Sequence, residues 1–286
     1  MQGIQEEATL KDQPSVYTLG YSDAEARRLH IQGILWNKFS RHLFEDAGIT
    51  QGMTVLDLGC GTGEVSFLLA GMVGPRGRVV GIDRNAKNLC LAAQGAREFG
   101  HNQIEFRQAD LNELALAERF DAIAGRAISI YIPDLSEFLT AIHDHLKPGG
   151  MVALQEPDLA LTEGLAKVGE CLPLACKYFN WMRRCFEQNG NHVRIGADLV
   201  KAFSETRFSS PRMQISAVAS MGQDSFQFEH LAGLARSASP LLAQFGIATA
   251  EELDVDTLAS RLRAEVAARN SYVFLYALVE IWAKAT

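Results

Sequence analysis

The sequence is short of cysteine, and what it has is not arranged to staple or ligate anything. There are five cysteines in 286 residues, an odd number, and no C-x-x-C pair occurs. Cys171, Cys176 and Cys185 fall close together, but their spacing matches no familiar zinc pattern. Buried free thiols in a reducing cytosol account for them. An excess of positive charge is also missing. The net charge of −7 means that no global field draws the chain to nucleic acid or anionic lipid. The first thirteen residues are polar and acidic and lack the apolar h-region of a secretory signal. No apolar run approaches the ~20 residues that span a bilayer, and the most apolar late stretch, 273–283, is interrupted by Glu280. No repeat of fixed period and no low-complexity segment appears. What remains is a cytoplasmic globular chain with no affinity for membrane or nucleic acid. Its 48% apolar and 21% charged residues suit that class. A chain of this mass buries roughly 73% of its extended surface on folding, so a core forms without disulfides or metal.

The middle of the chain alternates apolar runs with amphipathic stretches, the rhythm of a parallel sheet covered by helices. Strands are expected at 54–58, 78–82, 104–108, 120–125 and 151–155, with helices at 64–72, 86–99 and 135–146 between them. The flanks differ. Residues 22–45 repeat apolar positions every three or four residues, as a helix does. Residues 160–190 are helical in pattern, 197–203 form a further helix, 212–220 alternate like a strand, 224–269 are mostly helical, and 271–283 read as a last strand. Helical additions of this kind cover a ligand site or form a dimer interface, and the sequence is compatible with both.

The segment with most chemical content is Val55-Leu56-Asp57-Leu58-Gly59-Cys60-Gly61-Thr62-Gly63. A buried strand delivers the chain to a turn where three glycines allow positive φ and a close approach of backbone to ligand. The following helix offers free N–H groups and the positive end of its dipole. Twenty residues past Gly63 stands Asp83, at the end of the next strand, where a carboxylate can clasp vicinal ribose hydroxyls. A dinucleotide site shares that outline, but its fingerprint is G-x-G-x-x-G. Here the third glycine comes one residue early and Glu64 takes the last place. A carboxylate there repels a diphosphate and tolerates a ligand without phosphate, while Asp57 suits a cationic amine.

This string resembles the first motif of the class I S-adenosylmethionine-dependent methyltransferases. Gly81-Ile82-Asp83 is similar to that family's second motif, Gln108-Ala109-Asp110-Leu111 to its third, Phe120-Asp121-Ala122-Ile123 to its fourth strand, and Leu146-Lys147-Pro148-Gly149-Gly150 to the turn before its fifth. All occur in order over roughly residues 50–156. Outer features resemble a small-molecule branch that methylates quinones, sterols and natural products. These are Tyr17 to Tyr21 with Glu25 and Arg28, then Gly125-Arg126, Gln155-Glu156-Pro157-Asp158 and Arg194-Ile195-Gly196.

The resemblance implies an α/β fold, a Rossmann-like seven-stranded methyltransferase sheet with a helical N-terminus and helical lid insertions. The corresponding division is a cap at 1–48, a cofactor core at 49–159, a lid at 160–195, a core continuation at 196–223, a second helical insertion at 224–270 and the last strand at 271–286. It also implies S-adenosylmethionine as cofactor and S-adenosylhomocysteine as product. Gly59, Cys60, Gly61 and Gly63, with Asp57 near the amine, would run beneath the methionine part. Asp83 would hold the ribose and Asp110 the adenine, with Arg84 and Leu111 on either side of the base. Arg126 would bring its backbone near the sulfonium, and Tyr17, Tyr21 and Tyr131 would face it by cation–π attraction. Glu156 and His192 are the acid–base candidates. Trp36 and Trp181 read as core or lid, His143 and His145 receive no role, and no divalent-metal site is evident. The acceptor is expected to be a small organic molecule, with a homodimer compatible. A protein or nucleic-acid methyltransferase, a cofactor-binding protein of different chemistry, and a dehydrogenase stand as the alternatives. The first is opposed by the absence of a basic strip and of an N-P-P-Y-like sequence after the fourth strand.

Overall fold

The structure is a computed structural model that describes residues 17–20, 22–168, 172–221 and 227–286. The expected helix at 22–45 is α1 (Asp23–Ala47). It begins at Ser22, whose side chain accepts from the Glu25 N–H, and ends at Gly48 in the left-handed region. Five parallel strands follow: β1 (Thr54–Leu58), β2 (Arg78–Asp83), β3 (Ile104–Gln108), β4 (Phe120–Arg126) and β5 (Leu146–Pro157). Between them lie α2 (Glu64–Val73), α3 (Ala86–Glu98) and α4 (Leu135–Asp144). The last of these stops short of the expected 146. The glycine turn at 149–150 is drawn into β5, because Phe120 pairs with Leu146 before the register shifts to Ala122 with Met151.

The expected lid pattern at 160–190 resolves into α5 (Leu159–Ala166) and α6 (Pro173–Gln188), followed by α7 (Ile195–Ser204) and β6 (Arg212–Ser220). The later helical stretch forms α8 (Gln227–Gln244), the short α9 (Ala250–Leu253) and α10 (Leu258–Ala268), and β7 (Val273–Lys284) closes the chain. The sheet order is β3-β2-β1-β4-β5-β7-β6, and β7 runs antiparallel to both neighbours. A seven-stranded α/β sheet is what the resemblance implied, and its order is set by the pairing.

Strand position explains strand composition. β7 lies between two strands and is buried almost throughout, whereas β6 at the edge alternates and leaves Met213 and Ile215 exposed. Glu280 interrupts the apolar run of β7 yet is fully buried. It accepts from Gln155 Nε2 at 3.0 Å and from Gln214 Nε2 at 2.6 Å, and burial raises its pKa. Two apolar clusters sandwich the sheet, and a third joins α1, α6, α8 and α10 to β7. No helix of the described residues is long and apolar enough to cross a membrane. The strand order reverses between β1 and β4, and ligands of open α/β sheets bind at the carboxyl ends of strands at such a switch point.

Candidate functional site

The chain leaves β1 into Gly59 at φ +60°, passes Gly61 at φ +52° and enters α2 through Gly63 at φ +93°. The turn is pinned from inside. Cys60 N–H donates to the Ile82 carbonyl at 2.9 Å, and Gly63 N–H donates to the Cys60 carbonyl at 2.9 Å. Asp83 braces it from β2, accepting from Gly61 N–H at 2.9 Å and from Asn85 N–H at 2.7 Å. Burial raises the Asp83 pKa, partly offset by those two bonds. Gly63 caps α2 without a side-chain bond.

A Cβ on Gly63 would meet Phe67 Cζ at 2.7 Å and Ala92 Cβ on α3 at 3.2 Å. Strained backbone and crowding together are worth about 2 kcal/mol. Gly63→Ala is therefore expected to lower the thermal midpoint of this 286-residue chain by about 3 °C, read by calorimetric scanning. A midpoint within a degree of the parent would show that the turn relaxes freely.

α1 roofs this turn. Its Leu29 Cδ1 lies 3.5 Å from where a Gly61 Cβ would stand. Gly33, in mid-helix, makes room for Glu64, whose carboxylate would come within 2.6 Å of a Cβ there. Glycine in a helix interior costs roughly 0.5–1 kcal/mol, and here it permits close packing. Glu64 bonds His30 Nδ1 at 2.8 Å, so the carboxylate that replaces the fingerprint's last glycine turns toward α1.

A cleft runs past this turn. Of the expected site residues, Gly59, Gly61, Asp83, Arg84, Asp110 and Leu111 line one part of it. Tyr17, Arg126 and Tyr131 line it further along. Arg126 Nη1 donates to Asn37 Oδ1 at 2.8 Å and to Ser40 Oγ at 3.1 Å on α1. Burial lowers its pKa to about 10, which the Asp57 carboxylate partly counters. Tyr17 and Tyr131 stack edge to face at 4.9 Å, and burial raises both phenols. Tyr17 OH donates to Glu25 Oε1 at 2.9 Å, and Arg28 grips the same carboxylate at 2.7 and 2.8 Å. The outer motif around Tyr17, Glu25 and Arg28 is thus one buried ion pair on the cleft wall. Tyr21 lies outside the described residues.

Five expected site residues do not line the cleft. Gly63 and Cys60 belong to the turn's inner side, and burial raises the Cys60 thiol pKa. Asp57 is 1% exposed and accepts from Ser66 Oγ at 2.5 Å. Burial pushes it up to about 7 against that bond and Arg126. Glu156 is fully buried and accepts from the N–H groups of Ser129 (2.9 Å), Ile128 (3.2 Å) and Ile130 (3.4 Å). Burial raises it to about 7, partly offset by these donors. It holds the turn after β4, where Ala127 sits at φ +53° on the cleft wall. A non-glycine residue in that region marks strain of the kind found at functional sites. His192 uses both ring nitrogens, Nδ1 with Asp198 Oδ2 at 2.8 Å and Nε2 with the Ile132 carbonyl at 2.9 Å. These contacts give Glu156 and His192 holding roles in the wall behind the cleft.

His192→Ala is expected to cost about 1–2 kcal/mol of stability and to leave nucleoside-ligand affinity within about twofold. Denaturant unfolding and ligand titration check the two halves separately.

The other end of the cleft, to which the sequence assigns no motif, is lined in part by Trp36, Phe186, His230 and Tyr276. From the sequence Trp36 reads as core or lid. His230 falls in a stretch without a readable motif, although it is a polar residue among the buried Phe228, Leu231 and Ala235 of α8.

Comparison with known proteins places these features in a family. Residues 49–205, more than half of the chain, match the model of a methyltransferase domain. A trans-aconitate 2-methyltransferase of Azoarcus sp. (strain BH72) is 37% identical over 118 residues, covering 41% of this chain and 44% of the relative. A demethylmenaquinone methyltransferase of Lactobacillus johnsonii is 35% identical over 124 residues, covering 42% of this chain and 50% of the relative. The chain spans about half the length of the curated relatives it matches. Among solved structures, the geranyl diphosphate C-methyltransferase of Streptomyces coelicolor A3(2) superposes with a TM-score of 0.53 at 16% identity, covering 96% of this chain and 89% of that one. At that identity the likeness is one of fold.

Proposed function

We propose, from the premise that this chain belongs to the methyltransferase domain family of class I S-adenosylmethionine-dependent enzymes, that it carries a methyl group from S-adenosylmethionine to a small organic acceptor. The observation that carries the reading is one continuous cleft. It joins the glycine turn, Asp83 and Asp110 at one end to an apolar, aromatic wall under α1, α6 and α8 at the other. The residues present fit the cofactor. Asp83 would clasp the ribose hydroxyls, Asp110 would accept from the adenine amino group, and Arg84 and Leu111 would flank the base. Gly59 and Gly61 would let backbone run beneath the methionine portion.

Bound there, the cofactor supplies an electrophilic methyl group on a sulfonium. The chain's own task is to hold an acceptor in line with it, ~3–3.5 Å away, and to keep water out. Tyr17 and Tyr131 present ring faces or edges to that region. Arg126 sets the end of β4 against α1, and Glu156 fixes the turn that carries Ala127 and Ile128 into the wall. Roofing by helices suits a small molecule better than a polymer.

Calorimetric titration with S-adenosylmethionine, S-adenosylhomocysteine and NAD in parallel tests the reading. Micromolar binding of both adenosyl ligands and none of NAD is expected. Binding of NAD alone overturns the proposal and returns the glycine turn to dinucleotide chemistry.

A further inference from the structure

The acceptor end of the cleft gathers buried polar atoms that the fold leaves unpaired. Trp36 of α1, His230 of α8 and Tyr276 of β7 line the cleft and are only 1–5% exposed. Their rings pack against one another, with centroids 5.1 Å apart for Trp36–Tyr276, 5.3 Å for His230–Tyr276 and 6.3 Å for Trp36–His230. Trp36 Nε1, His230 Nδ1 and the Tyr276 hydroxyl are each buried with no hydrogen-bond partner. A buried polar group left unpaired is costly, and native proteins hold few of them. Three in one patch of cleft wall, from three elements far apart in sequence, are not explained by packing alone.

Their chemistry defines a complement. An indole N–H only donates, and a phenol donates or accepts. The His230 ring hydrogen-bonds the backbone of Arg28. Since Nδ1 is unpartnered, that bond is made by Nε2, which therefore carries the proton and leaves Nδ1 a bare lone pair. Burial, and then the nearby Arg28 guanidinium, hold the His230 pKa well below the ordinary value, so the ring is neutral. The patch thus offers one obligate donor, one obligate acceptor and one group able to act as either. Arg28 itself is committed to Glu25, which also accepts from Tyr17 and Ser237. A carboxylate brought here would face the His230 lone pair beside a guanidinium that is already paired.

We propose that Trp36, His230 and Tyr276 form the acceptor subsite, and that it takes an uncharged, planar, apolar molecule bearing a hydroxyl group. The hydroxyl donates to His230 Nδ1, and Trp36 Nε1–H and Tyr276 pair that oxygen or one beside it. Leu159, Phe186 and Leu234 supply the apolar walls. The inference deepens the methyltransferase reading and rests on it, since it assigns the far end of that cleft to the acceptor.

The test uses the full chain saturated with S-adenosylhomocysteine, titrated with 2-naphthol, 2-methoxynaphthalene and 2-naphthoate. The naphthol is expected to bind at least tenfold tighter than the ether, which cannot donate, and than the anion. In Tyr276→Phe and His230→Leu that preference should shrink to about twofold, with S-adenosylhomocysteine affinity unchanged as the check on folding. Should a variant fail to bind S-adenosylhomocysteine, the parent's ranking of naphthol over ether decides alone. Equal binding of naphthol and ether, preference for naphthoate, no binding of either neutral probe, or an undiminished preference in both folded variants overturns the subsite. Failure of the parent to bind S-adenosylhomocysteine overturns the methyltransferase reading, and the subsite with it.

Discussion

Asp83→Ala is expected to weaken S-adenosylhomocysteine binding by a hundredfold or more, with the chain still folded. The carboxylate lines the cleft and has two tasks there. It braces the glycine turn through Gly61 N–H and Asn85 N–H, and in the proposed reading it also takes the ribose hydroxyls. Hydrogen bonds to a charged group contribute about 1.5–3 kcal/mol each. Losing the clasp and loosening the turn together amount to about 2.7 kcal/mol, the equivalent of a hundredfold. Asp83→Asn keeps an acceptor oxygen and should lose about tenfold. Calorimetric titration measures both variants. Unchanged affinity in Asp83→Ala would move the ribose clasp to another residue.

The ligand-free protein is expected to lose stability as the pH rises from about 4 to about 8, through two carboxylates. Asp57 and Glu156 are both buried and both pushed up to about 7, from ordinary values near 3.8 and 4.5 in the unfolded chain. In this window the folded state binds more protons than the unfolded state, so stability falls with rising pH. The contribution of each group is fully present below its unfolded pKa and lost as the pH passes 7. At 1.36 kcal/mol per pH unit these displacements correspond to about 4 kcal/mol for Asp57 and about 3 kcal/mol for Glu156. Asp83 and Glu280, raised by burial as well, add in the same direction. Glu105, held at about 2 by its hydrogen bonds to Arg107 and Arg78, and Glu163, also held at about 2, oppose the trend near pH 4–5, where their unfolded forms still bind protons. Buried His230, lowered well below 6.5, opposes it up to about pH 7, whereas Arg126 at about 10 titrates above the window. Urea unfolding at several pH values, with the Asp57→Asn, Glu156→Gln double variant alongside, should show a steep fall for the parent and a shallower one for the variant. Parallel slopes would mean that these two carboxylates contribute nothing to the pH dependence.

Much of the glycine turn and its neighbouring acids was legible in the sequence because the geometry is local. A strand, three glycines and a helix start dictate a turn through backbone conformation alone. Asp83 follows twenty residues after Gly63 because one helix and one strand return the chain to the same edge. The strands at 54–58, 104–108 and 212–220 appear where the pattern placed them. Boundaries failed where pairing overrode local preference, as at the start of β5, where Leu146 is pulled into register beside Phe120.

Glu156 shows why a side chain's task was harder to read. Its position at the end of β5 follows from the sequence. Its direction, toward three backbone N–H groups of the turn after β4, depends on a neighbouring strand's loop. His192 was similarly taken by Asp198 and the Ile132 carbonyl, a partner sixty residues away.

By itself the sequence determined the fold class, the family and the glycine turn with its acids, because these rest on short-range spacing and on the period of apolar residues. Only the tertiary structure decided which polar groups share the cleft. Trp36, His230 and Tyr276 lie on α1, α8 and β7, and no local pattern ties them together. They meet because the apolar faces of those elements pack into one core, and that packing brings all three residues to the same cleft wall.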